Sequence, residues 1–128
     1  MLIQFTVENH RSIKNSAVIS FAASKDKSFE EYLLHPDEKK VLLPVLAIYG
    51  ANAAGKSNVL HAMMTMKEMV VGNAAKVSKG QKLPWEPFGG TKVPTSFEMV
   101  FIFQGVRYTY GLMQEDLQRV SLPLAEWP

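Results

Sequence analysis

Polar and apolar residues alternate from the first turn of the chain. In "LIQFTVEN", Leu2, Gln4, Thr6 and Glu8 fall on one side and Ile3, Phe5 and Val7 on the other, the period-two pattern of a half-buried strand. "HRSIKNS" reads as a polar turn, and "AVISFAA" (17–23) as the antiparallel partner. Residues 24–40 mix charge with one short amphipathic patch, Phe29, Tyr32 and Leu33, predicting a loop or a single short helix that stops before Pro36. "VLLPVLAIY" (41–49) is apolar throughout and does not alternate. That pattern predicts a strand buried on both faces, as in a parallel sheet. The next segment changes period: Val59, Leu60, Met63, Met66 and Val70 recur at three- and four-residue steps, predicting a helix over 56–71 with a stop at Gly72-Asn73.

Residues 72–94 lose the periodicity. They hold four Gly, three Pro and four Lys, the mark of a long surface loop. "TSFEMVFIF", "QG" and "VRYTYGLM" then form a hairpin signal, two β-rich runs around a glycine turn, and "RVSLPLAEWP" opens a further strand. At 128 residues, 47% hydrophobic and 20% charged, the chain has the size and composition of one globular domain. It lacks a membrane-length apolar run and a secretory leader. With no cysteine, disulfides and thiol chemistry are excluded, and a cytoplasmic location is expected. The net charge of +2 is too mild to argue for nucleic acid.

The junction between the apolar run and the helix carries the chemistry. Gly50-x-x-x-x-Gly55-Lys56-Ser57 satisfies the phosphate-loop pattern, in the strand-to-helix context it requires. Glycine permits the tight curl that turns backbone N–H groups inward. Those groups and the helix N-terminus make an anion nest. Lys56 then supplies a charge to the β- and γ-phosphates, and the Ser57 hydroxyl is a ligand for Mg²⁺. An accidental glycine-rich turn is the competing reading; the bare pattern arises by chance in roughly one chain in two hundred of this length. ATP and Mg²⁺ are the expected cofactors. The nucleotide-binding set is Gly50, Asn52, Ala53, Ala54, Gly55, Lys56, Ser57 and Asn58, with Arg11 as a further candidate.

"FTVENHRSI" followed by "GANAAGKSNVLHAM" resembles the RecF/SMC/OLD-type branch of ABC-like ATPases, which opens with a strand, an "ENFRS"-like turn and a G-x-N-x-x-G-K-S-N loop. Asn9-His10-Arg11-Ser12, Asn52 and Asn58 carry the likeness; His10 departs from it, since the family usually has an aromatic there. "PTSFEMVFIFQGVRYTYGL" and "AEW" are similar to the antiparallel β-region of bacterial AAA/OLD-like proteins of phage defence. The resemblance implies a partial P-loop NTPase of α/β class, an ABC-like head in which an antiparallel β-region flanks one buried strand–loop–helix unit. It implies that Arg11 lies near the nucleotide or an ATP-dependent dimer contact, against the plainer reading of a solvated arginine in a turn. It places Asn52 toward the γ-phosphate or a partner subunit, against a residue that merely tolerates left-handed geometry.

Hydrolysis in this branch also needs an Asp–Glu pair ending an apolar strand, and no stretch supplies it. "MVFIF" ends in Gln104-Gly105, Glu115-Asp116 is in the reverse order, and "FGGTK" lacks the serine-led ABC signature. One buried strand cannot satisfy its own edges. Residues 1–128 are therefore expected to be the amino-terminal lobe of a longer ATPase, with the missing pair beyond Pro128. Failing that, self-association or a partner chain completes the sheet. His10, His35 and His61 show no metal-ligand spacing. Met63, Met64, Met66 and Met69 suggest an adaptable binding face, against core filling for those on the apolar stripe. Trp85 and Phe88 read as a cap on the core or a cover for the nucleotide, and Lys76, Lys79, Lys82 and Lys92 as a solvated face, with DNA contact the minority alternative. Three functions compete: an ATPase part whose nucleotide-driven dimerisation controls a DNA-related or antiviral defence effector, a nucleotide-gated binding module with negligible turnover, and a small-metabolite kinase. The antiparallel opening and the absence of an arginine-rich lid weigh against the kinase.

Overall fold

Ile3, Phe5 and Val7 are buried along β1 (Leu2–Glu8) and Glu8 is exposed, so the alternation sets the face that the strand turns inward. A computed structural model describes residues 1–26, 28–51, 54–72, 86–115 and 119–121 of the chain. β1 pairs antiparallel with β2 (Ala17–Ser20) on one side and with β3 (Thr95–Phe103) on the other. β4 (Val106–Glu115) and β5 (Arg119–Ser121) extend the sheet, giving the order β2-β1-β3-β4-β5, antiparallel at every step. The β3–β4 hairpin closes through Gln104 and Gly105, with φ 50° and 76°. Positive φ at both central residues gives the turn a twist that matches the strands.

The register of β1 against β3 slips between Leu2 and Gln4. Burial on β3 changes parity at the same place, from Thr95 and Phe97 to Val100 and Ile102. A β-bulge re-aims side chains in this way, and the sheet accordingly carries two apolar clusters. Phe5, Val7, Phe97 and Leu112 pack with Ala62 and Met66 of α1 (Lys56–Lys67). Ile3, Val100 and Ile102 pack with Leu42.

The helix begins at Lys56 as its periodicity predicts, and past Lys67 it continues as a wider π-helical turn, Glu68–Gly72. Its buried stripe is Ala62, Thr65 and Met66, with Met63, Met69 and Val70 packed against the core. The short side chains at 62 and 65 let the helix approach the sheet. Leu60, expected on the apolar face, is instead 57% exposed. Between β2 and α1 the amphipathic patch forms a single 3-10 turn, Glu30–Tyr32.

The apolar run 41–49 differs from expectation. Leu42 is buried and bridges Ala22 and Leu34, but residues 43–50 form no strand, and Val45 and Tyr49 are 76% and 91% exposed. A central parallel strand needs a ladder on each edge, and among the described residues every ladder belongs to the antiparallel sheet. The expected buried strand–loop–helix unit is thus an exposed extended segment leading into a helix. The expectations for Asn52, Ala53, Lys76, Lys79, Lys82, Trp85, Asp116 and the tail 122–128 lie outside the described residues.

Asn9 joins the turn after β1 to the segment that leads into β3. It is 4% exposed and left-handed (φ 54°), a conformation asparagine tolerates. Its Nδ2 donates to the carbonyls of Val93 (2.6 Å) and Pro94 (3.4 Å). Its Oδ1 accepts from Phe88 N–H and Thr91 Oγ1, each at 3.2 Å. Its carbonyl accepts from Thr95 Oγ1 at 2.5 Å. Removing the side chain strands several of these groups, so Asn9→Ala is expected to lower stability by about 2–4 kcal/mol. Exposed Asn15→Ala should stay within about 0.5 kcal/mol in the same urea denaturation series.

Candidate functional site

Gly55 stands immediately before α1 with φ 95°, a backbone that L side chains rarely adopt. A Cβ placed there would lie 3.2 Å from Ser12 Oγ, so both backbone angle and space select glycine. The carbonyl of Gly55 accepts from the N–H groups of Asn58 and Val59 at 3.1 and 3.2 Å, which starts the helix. Ala54 N–H donates to the Ala51 carbonyl at 3.1 Å and curls the loop. The Lys56 ammonium folds back across this curl, donating to the carbonyls of Gly50 and, at 3.0 Å, Ala51. Gly50, Ala51, Ala54 and Ser57 are exposed.

The first N–H groups of a helix lack partners within it, and together they carry partial positive charge. In α1 no side chain caps them, and the first turn holds no acid. Lysine, serine and free backbone donors therefore meet at one exposed helix end. Chemically this corner can bind an oxyanion, with a hydroxyl beside it that can ligate a cation.

The turn after β1 braces that corner. Asn58 Nδ2 donates to Ser12 Oγ at 2.6 Å, and Arg11 NH1 to Asn58 Oδ1 at 3.4 Å. Arg11 Nε and NH2 donate to Glu86 Oε2 and Oε1 at 2.8 and 3.4 Å, and its backbone N–H to the Glu86 carbonyl at 2.7 Å. Arg11 is thus a partly exposed side chain held by Glu86 and, at 3.4 Å, by Asn58, the residue after Ser57. The Arg11 guanidinium, hydrogen-bonded to Glu86, holds that carboxyl below the usual range.

Behind Arg11 sits a contact that spacing does not reveal. His10 is buried, with its ring stacked on His61 (centroids 5.3 Å apart) and edge-on to Phe97. His10 Nε2 and His61 Nδ1 share a hydrogen bond of 3.1 Å, and Thr65 Oγ1 lies 3.3 Å from the same His61 nitrogen. His61 Nε2 is 3.9 Å from Glu86 Oε2. Burial, and then the charge of His61, push the His10 pKa down to about 4; Glu86 opposes and Arg11 adds to the fall. His10 is therefore neutral at ordinary pH. Sequence spacing does not link these histidines: 51 residues apart, they are neighbours because the β1 turn packs on the second turn of α1.

Other candidates fall away from this corner. Phe88-Gly89-Gly90 is a short 3-10 turn with left-handed glycines, as a loop reading expects, and its Phe88 is half-buried. A groove of about 600 Å³ lined by Ile3, Ser24, Glu30 and Lys40, among others, shares no residue with the loop. Among the described residues, no helix is long and apolar enough to cross a membrane. Gly55→Ala should cost about 1–2 kcal/mol through its left-handed backbone alone. In a double-mutant cycle with Ser12→Gly, which removes both the 3.2 Å contact and the Asn58 bond to Ser12 Oγ, denaturant titrations should show the double variant losing less than the sum of the two single losses.

A family model described as "AAA domain, putative AbiEii toxin, Type IV TA system" matches residues 45–128, most of the 128-residue chain. The match takes in the exposed apolar run, the phosphate loop, α1 and the β3–β4 hairpin. No curated protein matches the sequence. The loop and the match agree on a P-loop ATPase-like domain of nucleotide-binding type, and the chain belongs to this AAA-domain family.

Proposed function

We propose that residues 1–128 act as the amino-terminal lobe of an ATPase of the RecF/SMC/OLD branch and bind Mg-ATP at Gly50–Asn58. The observation that carries this reading is the corner at Gly55: a left-handed glycine opens an acid-free, uncapped helix end, with the Lys56 ammonium folded over the loop beside it. In the bound state Lys56 exchanges the Gly50 and Ala51 carbonyls for β- and γ-phosphate oxygens, a stronger charge-assisted pairing. Ser57 Oγ takes a place on Mg²⁺, and the resemblance gives Asn52 a contact toward the γ-phosphate or the partner subunit. Arg11, held by Glu86 and Asn58, fixes the first turn of α1 instead of contacting phosphate directly.

An Asp–Glu pair and the parallel strands flanking 45–49 come from outside the described residues, by the same polypeptide or by another chain. The exposure of Val45, Ile48 and Tyr49 supports that reading, because such an apolar edge calls for cover. Nucleotide-driven head dimerisation then controls a toxic or defence effector, an output in keeping with the toxin–antitoxin wording of the family description. DNA is a candidate partner of that effector. The second reading, a nucleotide-gated assembly module with negligible turnover, shares the same pocket and differs only in chemistry.

Titration with a fluorescent ATP analogue and Mg²⁺ tests the pocket. Lys56→Ala should weaken binding at least about thirtyfold, the loss of one charge-assisted contact set. Equal affinity in the variant would remove the phosphate loop from the binding site. Steady-state phosphate release from a polypeptide or assembly that also supplies the Asp–Glu pair separates the two readings, since only the ATPase turns over.

A further inference from the structure

The geometry points to a second site, behind the phosphate loop: we propose that His10, His61 and Glu86 bind a transition-metal ion of the Zn²⁺ class. One donor atom from each residue lies within 4.8 Å of the other two. The residues come from three separate elements, the turn after β1, the second turn of α1 and the segment leading to β3, so the grouping follows from tertiary packing alone.

The donor set decides the metal. Two imidazole nitrogens and one carboxylate oxygen suit Zn²⁺ and its neighbours, and leave at least one position for water. Mg²⁺ prefers oxygen ligands throughout, so this site and Ser57 select different ions. The distance of 3.1 Å between His10 Nε2 and His61 Nδ1 is close to the roughly 3.3 Å that separates two nitrogens on a tetrahedral ion with ~2.0–2.1 Å bonds. Glu86 Oε2 lies 3.9 Å from the other nitrogen of the same ring, Nε2, so the His61 ring turns, or the carboxylate swings round it, to bring the three donors onto one ion. Thr65 Oγ1 touches His61 Nδ1 itself and gives up that nitrogen to the ion, whereas an outer contact is in place where Arg11 orients the Glu86 carboxylate. Such partners fix ligand orientation and strengthen binding.

An ion here ties the β1 turn to α1 and to the 86–95 segment at one point. Arg11 links that point to Asn58, the residue after Ser57. The site stands on its own geometry and does not require that the phosphate loop bind ATP.

Chelator-stripped protein is titrated with Zn²⁺ in millimolar Mg²⁺, and with Co²⁺ as a spectroscopic substitute. The expected result is one Zn²⁺ per chain, visible Co²⁺ absorption of low-coordination N/O type, and no effect of Lys56→Ala. His61→Ala and Glu86→Gln, both at partly exposed side chains, should each weaken Zn²⁺ binding at least about tenfold, while His35→Ala changes nothing. Circular dichroism of each variant verifies that it is folded. Stoichiometric binding that survives the double variant His61→Ala/Glu86→Gln, or no Co²⁺ band with the wild type, overturns the assignment.

Discussion

The described structure turns on the four residues after β1. Asn9 uses both atoms of its amide and its own carbonyl to hold residues 88–95, and so sets where β3 enters the sheet. Two residues later the same turn holds α1 by its first coil, through Ser12 and Arg11 on Asn58. Sheet and helix would otherwise meet only through the apolar packing of Phe5, Val7, Phe97, Ala62 and Met66, which fixes proximity but not register. Hydrogen bonds are directional, and the buried ones are costly to leave unmade. The turn therefore decides how the phosphate loop is presented.

This arrangement explains why some features could be read along the chain and others could not. The alternation of β1 and the hairpin around Gln104-Gly105 are local, and local patterns survive folding when one face is buried. Gly55 was legible for the same reason: a left-handed turn before a helix leaves a chemical mark in one residue. The apolar run 41–49 misled because its pattern describes a strand with two neighbours, and among the described residues pairing stops at its start, where Leu42 bridges Ala22 and Leu34. Leu60 misled more mildly, since Ala62 and Thr65, not the largest side chains, set the contact face of α1.

The histidine cluster was illegible for a different reason. His10 and His61 are separated by 51 residues and have no motif between them; only the docking of the β1 turn on α1 brings them together. The single hint was His10 itself, a polar ring where the ATPases that the sequence resembles usually carry an aromatic one. Its neighbour Phe97 and the stacked His61 show why a flat ring fits that position, whether or not it is polar.

Family membership and loop geometry meet at one claim, that the exposed corner at Gly55 is a triphosphate pocket. A crystal structure of the chain with Mg²⁺ and a non-hydrolysable ATP analogue tests it most directly. The account predicts the β- and γ-phosphates against the start of α1, Lys56 Nζ moved from the Gly50 and Ala51 carbonyls onto them, and Mg²⁺ on Ser57 Oγ. A nucleotide bound elsewhere, with Lys56 still on those two carbonyls, would contradict it.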